Sequence, residues 1–208
     1  MVDLLEKIDR VVFLFLNSFH NAFFDPVFFW GTKPLVWLPL FFFLLYVTIR
    51  SYRWQFLWVL LFTVILIALS DQLSNFTKEW IARPRPTHEP GLKGIHTVYG
   101  YTGGLYGFYS GHASTTMAIA VFLILLLKDR FQYIAFILLP WAVFMSYTRI
   151  YLGVHYPGDI LCGMIIGAGL GYAMAWACRS FFTCLEKKRG RSELLIQGKG
   201  KGLLDSEN

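Results

Sequence analysis

Between Pro34 and Phe182 the chain alternates long apolar runs with short polar interruptions, and nearly every charge falls in the interruptions. A soluble globule cannot bury such runs, because 56% of the 208 residues are hydrophobic and only 15% are charged, well away from ordinary soluble composition. In a bilayer the same runs are natural, provided each satisfies its backbone N–H and C=O groups internally as a helix. The first span is predicted from about Pro34 to Ile49, and the second from Trp54 with a polar continuation to Lys78. The third runs from Ser110 to just before Lys128, the fourth from Phe131 to about Tyr147, and the fifth from Pro157 to about Phe182. Several apolar cores hold only about 15 residues, short of the roughly 20 that fill the hydrocarbon layer. Their polar ends must therefore complete the spans at headgroup depth.

The expected fold class is all-α, a polytopic membrane helix bundle with five transmembrane spans. Residues 3–24 set Leu4, Leu5, Ile8, Val11 and Val12 among Asp3, Glu6, Lys7, Asp9 and Arg10 with helical periodicity, which suits an interfacial or partly inserted helix. Residues 1–182 would form the membrane-embedded domain, and residues 183–208 a basic cytoplasmic tail, disordered in water. Cations cluster at Arg50 to Arg53, at Lys128 to Arg130 and in that tail. Five alternating spans put all three on one face, which the positive-inside rule makes cytoplasmic. The 19 Lys and Arg against 13 Asp and Glu are thus a topology signal, and no aromatic-interleaved basic face suggests nucleic acid. Cys162, Cys178 and Cys184 show no metal or redox spacing and are expected to act as small packing residues.

Three polar clusters then emerge together on the outer face. Lys78 and Arg85 stand seven residues apart at the end of the second span, and Asp71 and Asn75 share a helical face with Lys78 that should point into the bundle. Fixed cations suit a phosphoryl group, whose charge spreads over its oxygens in the transition state. Arg83 could serve in place of Arg85, and lipid headgroups alone could explain such cations. Ser110-Gly111-His112 opens the third span, so free amides and the positive end of the helix dipole face the loop of residues 82–109. Ser110 could be a simple N-cap; Gly111 allows close approach of an anion, and His112 can give a proton to a departing oxygen. Arg149, His155 and Asp159 make the third cluster. A carboxylate one turn from an imidazole can hold Nδ1–H and leave Nε2 free to attack.

Lys-x6-Arg-Pro (Lys78, Arg85, Pro86), Ser-Gly-His (Ser110 to His112) and Arg-x5-His-x3-Asp (Arg149, His155, Asp159) resemble the tripartite signature of the type 2 phosphatidic acid phosphatases. These are the lipid phosphatase branch of a superfamily that also holds bacterial acid phosphatases and vanadium haloperoxidases. Tyr109 replaces the usual proline before the second motif, and Thr148 the usual serine before the third. The resemblance implies His155 as a nucleophile forming a phosphohistidine and Asp159 as its orienting partner. His112 would protonate the leaving oxygen and then activate water. Lys78, Arg85, Ser110, Gly111 and Arg149 would hold the phosphate, with no metal and no cofactor.

The expected substrate is a lipid phosphate or diphosphate from the outer leaflet of a bacterial inner membrane, with the active site on the periplasmic side. Undecaprenyl diphosphate is the first expectation; phosphatidate, phosphatidylglycerol phosphate and lipid A follow. A non-catalytic lipid-anion binder or transporter would need the cations but not the two imidazoles and the carboxylate.

Overall fold

The structure is a computed structural model that describes residues 2–204, with side chains from residue 4 to residue 188. Its helices are α1 (Val2–Asn17), α2 (Phe24–Gly31), α3 (Leu38–Tyr52), α4 (Phe56–Ile81), α5 (Gly111–Leu127), α6 (Ile134–Tyr151) and α7 (Pro157–Leu204). Among the described residues there is no strand, only an isolated bridge between Pro84 and Tyr106. Three stretches are long and apolar enough to cross a bilayer, Pro34–Ile81, Ile134–Tyr151 and Pro157–Lys188, while α5 is a shorter apolar helix. Arg53, at φ 50° and ψ −127°, breaks the first of these stretches. α3 and α4 fold into a hairpin there, so that Phe41 lines one crevice with Ile67, and Thr48 with Val59. The chain is a polytopic membrane helix bundle.

Two helix ends differ from expectation. α6 continues four residues past Tyr147 to Tyr151, because Thr148 and Arg149 are buried and the Leu152 N–H still bonds the Thr148 carbonyl at 2.9 Å. Polarity alone suggested an exit; tertiary burial keeps the turn helical. α7 runs on to Leu204 without a break at Phe182, so the stretch expected as a disordered tail begins as the helix's own continuation. No proline follows Pro157, and Leu185, Glu186, Lys187 and Lys188 all favour helix. The tail's side chains from residue 189, and residues 205–208 altogether, lie outside the described residues.

α5 is the axis of the bundle. It is apolar on all sides, as a helix surrounded by others must be, and it buries Ala113, Met117, Ala118, Ala120, Phe122, Leu123, Leu126 and Leu127. Its approach to α7 is set by Gly163, Gly167 and Gly171, where an added Cβ would run into the backbone at Ser110, Ser114 and Ala118. Lipid is as apolar as leucine, so close backbone contact of this kind replaces the hydrophobic drive that packs soluble helices. Against α4, Ser70 Oγ reaches both Ser114 Oγ and Thr115 Oγ1 at 3.0 Å. Of the cysteines only Cys178 is fully buried; Cys162 is half-buried and Cys184 exposed, so the packing role expected for all three holds fully for one.

α1 is an amphipathic helix whose apolar residues Leu4, Leu5, Ile8, Val11 and Phe15 turn outward. Its protein-facing stripe is Asp9, Phe13 and Asn17, at i, i+4 and i+8. Phe13 packs edge-on against Tyr156 with ring centroids 5.4 Å apart. Asn17 donates to the carbonyls of Ile150 and Tyr151 at 3.1 and 2.9 Å and accepts from the His96 N–H at 2.8 Å. α2 follows suit, with Phe28 stacked on Tyr151 at 4.1 Å.

Candidate active site

The first cluster is shaped by the end of α4. Ala82 takes a left-handed conformation, φ 51° and ψ 32°, and its N–H caps the helix on the Lys78 carbonyl at 2.9 Å. Residues 83–85 then run extended beside residues 105–107, through Arg85 N–H to the Leu105 carbonyl at 3.0 Å and Gly107 N–H to the Arg83 carbonyl at 2.9 Å. Side chains alternate in an extended segment, so Arg83 and Arg85 leave on opposite sides. Arg85 lines a cavity of about 350 Å³ together with Lys78, and its Nε donates to the Tyr106 carbonyl at 3.0 Å. Arg83 instead bridges Asp159 and Asp9, each at 2.7 Å, and so is not free to replace Arg85 at an anion.

Asp71 also lines the cavity, and Asn75 ties that face together by donating to Asp71 at 3.1 Å and accepting from Lys78 at 3.5 Å. The seam that α4 buries is Ser70 and Ser74, so the face expected to point into the bundle opens onto the cavity beside it.

The second cluster begins α5. Ser110 is fully buried, caps the helix by accepting from the Ala113 N–H at 3.4 Å, and donates its own N–H to the Asp159 carbonyl at 3.0 Å. Gly111 and His112 line the cavity; Ser110 does not. The N-cap role accounts for Ser110, which aims the helix N-terminus and stands behind the cavity rather than in its lining. Gly111 is required by space, since a Cβ would stand 2.7 Å from Ser74 Oγ and 3.4 Å from Lys78 Nζ.

The third cluster spans the end of α6 and the start of α7. Arg149 is 3% exposed, lines the cavity, and its Nε has no hydrogen-bond partner. The Val154 N–H returns to the Arg149 carbonyl at 3.0 Å, which turns His155 toward the same space. Asp159 is fully buried behind His155. Its Oδ2 accepts from the Tyr156 N–H at 3.0 Å and lies 3.6 Å from His155 Nδ1, just beyond hydrogen-bond range. Catalytic hydrogen bonds are often long before a ligand arrives.

Burial pushes the His155 imidazole down to about 4, opposed by Asp159 and reinforced by the positive charge of Arg85 and Lys78. It is therefore neutral, with a lone pair available, throughout the neutral range. Burial also lowers the pKa of Arg85. At Arg83 burial acts in the same direction, but the carboxylates of Asp159 and Asp9 outweigh it and hold the guanidinium above its ordinary value.

Lys78, Arg85 and Arg149 take part in none of the salt bridges among the described residues. Arg149 is buried and Lys78 and Arg85 are half-buried; cations so placed without a carboxylate partner suit an anion. Two imidazoles line the same cavity. Ile67, Tyr101, Thr115 and Thr116 complete the lining, and of these Tyr101 carried no sequence signal, for it lies in an aperiodic loop.

A family model described as the PAP2 superfamily matches residues 54–182. The lipid A 4'-phosphatase of Bacteroides thetaiotaomicron is 34% identical over 214 residues, covering 100% of this chain and 91% of that protein. The lipid A 4'-phosphatase of Porphyromonas gingivalis is 30% identical over 177 residues, 80% of this chain and 71% of its own length. An undecaprenyl-diphosphatase of Sulfolobus acidocaldarius is 37% identical over only 67 residues, 32% of this chain and 31% of that protein. Among solved structures, a PAP2-type phosphatidylglycerolphosphate phosphatase of Bacillus subtilis has the same fold, with a TM-score of 0.61, 21% identity, and 86% of both chains covered. With its three motifs gathered around one cavity and a family match over residues 54–182, the chain belongs to the PAP2 superfamily.

Proposed function

We propose that this protein is a lipid phosphatase that removes a phosphate from lipid A, the 4'-phosphate being the first choice. The observation that carries the phosphatase reading is the pairing of three cations that lack carboxylate partners with two imidazoles in one cavity. The lipid is argued from relatives. Those that match most of this chain are named for lipid A, whereas the relative named for undecaprenyl diphosphate matches a third of it. The order expected from the sequence, with undecaprenyl diphosphate first, is reversed accordingly.

In this mechanism the phosphate oxygens sit among Lys78, Arg85, Arg149 and the amides at Gly111. Neutral His155 attacks phosphorus through Nε2, and the bond to the lipid oxygen breaks as His112 gives that oxygen its proton. Asp159 holds the Nδ1 side and offsets the positive charge that develops on the ring. His112, now neutral, takes a proton from water, whose oxygen attacks the phosphohistidine; inorganic phosphate leaves and His155 returns to its starting state. Fixed cations supply the stabilisation of spreading negative charge that a metal ion gives elsewhere. The positive-inside count supports a cavity that opens on the periplasmic face of an inner membrane.

The test is purified protein in detergent, assayed for phosphate release from lipid A, phosphatidylglycerol phosphate, phosphatidate and undecaprenyl diphosphate, with and without EDTA. Lipid A should turn over fastest, losing its 4'-phosphate, and chelation should leave the rate unchanged. Faster turnover of undecaprenyl diphosphate would overturn the substrate choice, and lipid binding without any release would favour a binder or transporter.

A further inference from the structure

We propose that Arg83 and Asp9 are positioning residues that aim Asp159 at His155, so that α1 forms part of the catalytic apparatus. The inference rests on the phosphatase reading for its kinetic consequences, but its geometry is independent of substrate.

Asp159 has two oxygens with different duties. Oδ2 faces His155 and accepts from the Tyr156 N–H, while Oδ1 accepts from Arg83 Nη1 at 2.7 Å. The other terminal nitrogen of Arg83, Nη2, donates to Asp9 Oδ2 at 2.7 Å. Asp9 Oδ1 in turn accepts from the Gly158 N–H at 2.7 Å, in the same helical turn that carries Asp159. These contacts close a ring running from Asp9 to Arg83, Asp159, Gly158 and back. The side chains are 13% exposed at Asp9, 20% at Arg83 and 0% at Asp159.

Two independent features show that the ring is specifically accommodated. A Cβ at Gly158 would come within 2.8 Å of Asp9 Oδ2, so the hydrogen-bonded position of the Asp9 carboxylate requires glycine here. The Arg83 guanidinium also lies 4.3 Å over the Tyr156 ring, which packs with Phe13 of α1 in an edge-on pair. Planar bidentate sharing between two carboxylates is a task for arginine rather than lysine.

The charges explain why two acids are needed. Arg83 alone would neutralise Asp159 and leave nothing to offset the positive ring formed when His155 attacks phosphorus. With Asp9 sharing Arg83, the three side chains carry a net single negative charge, complementary to that ring. On the outer side the neighbouring ionisable groups are Glu6, Arg10, Glu89 and Tyr156, of which Arg10 and Glu89 pair at 2.6 Å. On the cavity side Lys78, Arg85 and His112 face His155. The outward apolar residues of α1 seat it in lipid, so the membrane itself holds Asp9 in place.

Asp9→Asn, Arg83→Gln and Arg83→Lys, in the full-length protein in lipid nanodiscs, test this in two ways. In turnover of a lipid phosphate, Arg83→Gln should lower kcat about 10- to 100-fold with KM little changed, as for removal of a partner behind a catalytic group, and Arg83→Lys should recover part of it. In ¹⁵N-histidine NMR, with the His155 signal assigned from His155→Asn, Arg83→Gln should raise the His155 pKa by leaving Asp159 uncompensated. Asp9→Asn should lower it, by leaving Arg83 uncompensated. Opposite signs are not produced by a merely structural defect. Shifts of the same sign, no shifts, or a changed KM at constant kcat would overturn the relay. If Arg83→Gln fails to fold, the signs of Asp9→Asn and the partial recovery in Arg83→Lys decide. A wild type that releases no phosphate yet shows the opposed shifts would remove the phosphatase reading and keep the relay. Turnover in the wild type without the shifts would do the reverse.

Discussion

Arg83 and Arg85 are two residues apart and chemically identical, yet one sits between two carboxylates and the other lines a cavity with no carboxylate bonded to it. The contrast extends to the regions around them. Outside Asp159 the part-buried cations have acids, Arg83 with Asp9 and Asp159 and Arg10 with Glu89. Inside, Lys78, Arg85 and Arg149 have none. A cation with its counter-ion present is already neutralised within the fold, whereas cations lacking one around a cavity suit a ligand that brings the charge.

The largest break in this comparison comes from the group between the two regions. His155→Ala should lower kcat by about 10⁴-fold or more while lipid binding, measured by retention of labelled lipid, persists. Next, Arg85→Gln should reduce kcat/KM by about 10²- to 10³-fold, the usual loss for one donor to a developing negative charge, and leave unfolding in detergent little changed. Arg83→Met should act the other way round on stability. It strands the fully buried Asp159 and should destabilise the fold by on the order of 3 kcal/mol, read as a lower unfolding midpoint.

The pH dependence of stability follows in size. Unfolded, a histidine takes its proton near 6.5, but folded His155 does so only at about 4. The unfolded state thus binds more protons between these values, so the His155 contribution is fully present above about pH 6.5 and is lost as pH falls toward 4. His155→Asn should flatten that slope. The smallest effect belongs to Arg10→Ala, which removes an ion pair whose arginine is 42% exposed and should change stability by only about 0.2–1 kcal/mol.

Much of this is legible in the sequence. Lys78, Arg85, Gly111, His112, Arg149 and His155 were expected at one anion, and all six line one cavity. Ser110 and Asp159 stand behind it, as a helix cap and as the carboxylate against His155. Other features were hidden for definite reasons. Which arginine of Arg83-Pro84-Arg85 faces the cavity depends on pairing with residues 105–107, some 20 residues away in an aperiodic loop. The contact of Asp9 with Gly158 spans 149 positions of sequence, and nothing local distinguishes Asp9 from Glu6.

The apolar periodicity and the placement of charge at its edges determined by themselves that this chain becomes a bundle of membrane helices, since a bilayer tolerates no other arrangement of such runs. The spacing of the three motifs likewise singled out residues that meet at one cavity. Only the tertiary structure decided which charges meet a counter-ion and which are left for a ligand. That outcome depends on the side from which each chain segment approaches, and distant parts of the chain set it jointly through close helix packing.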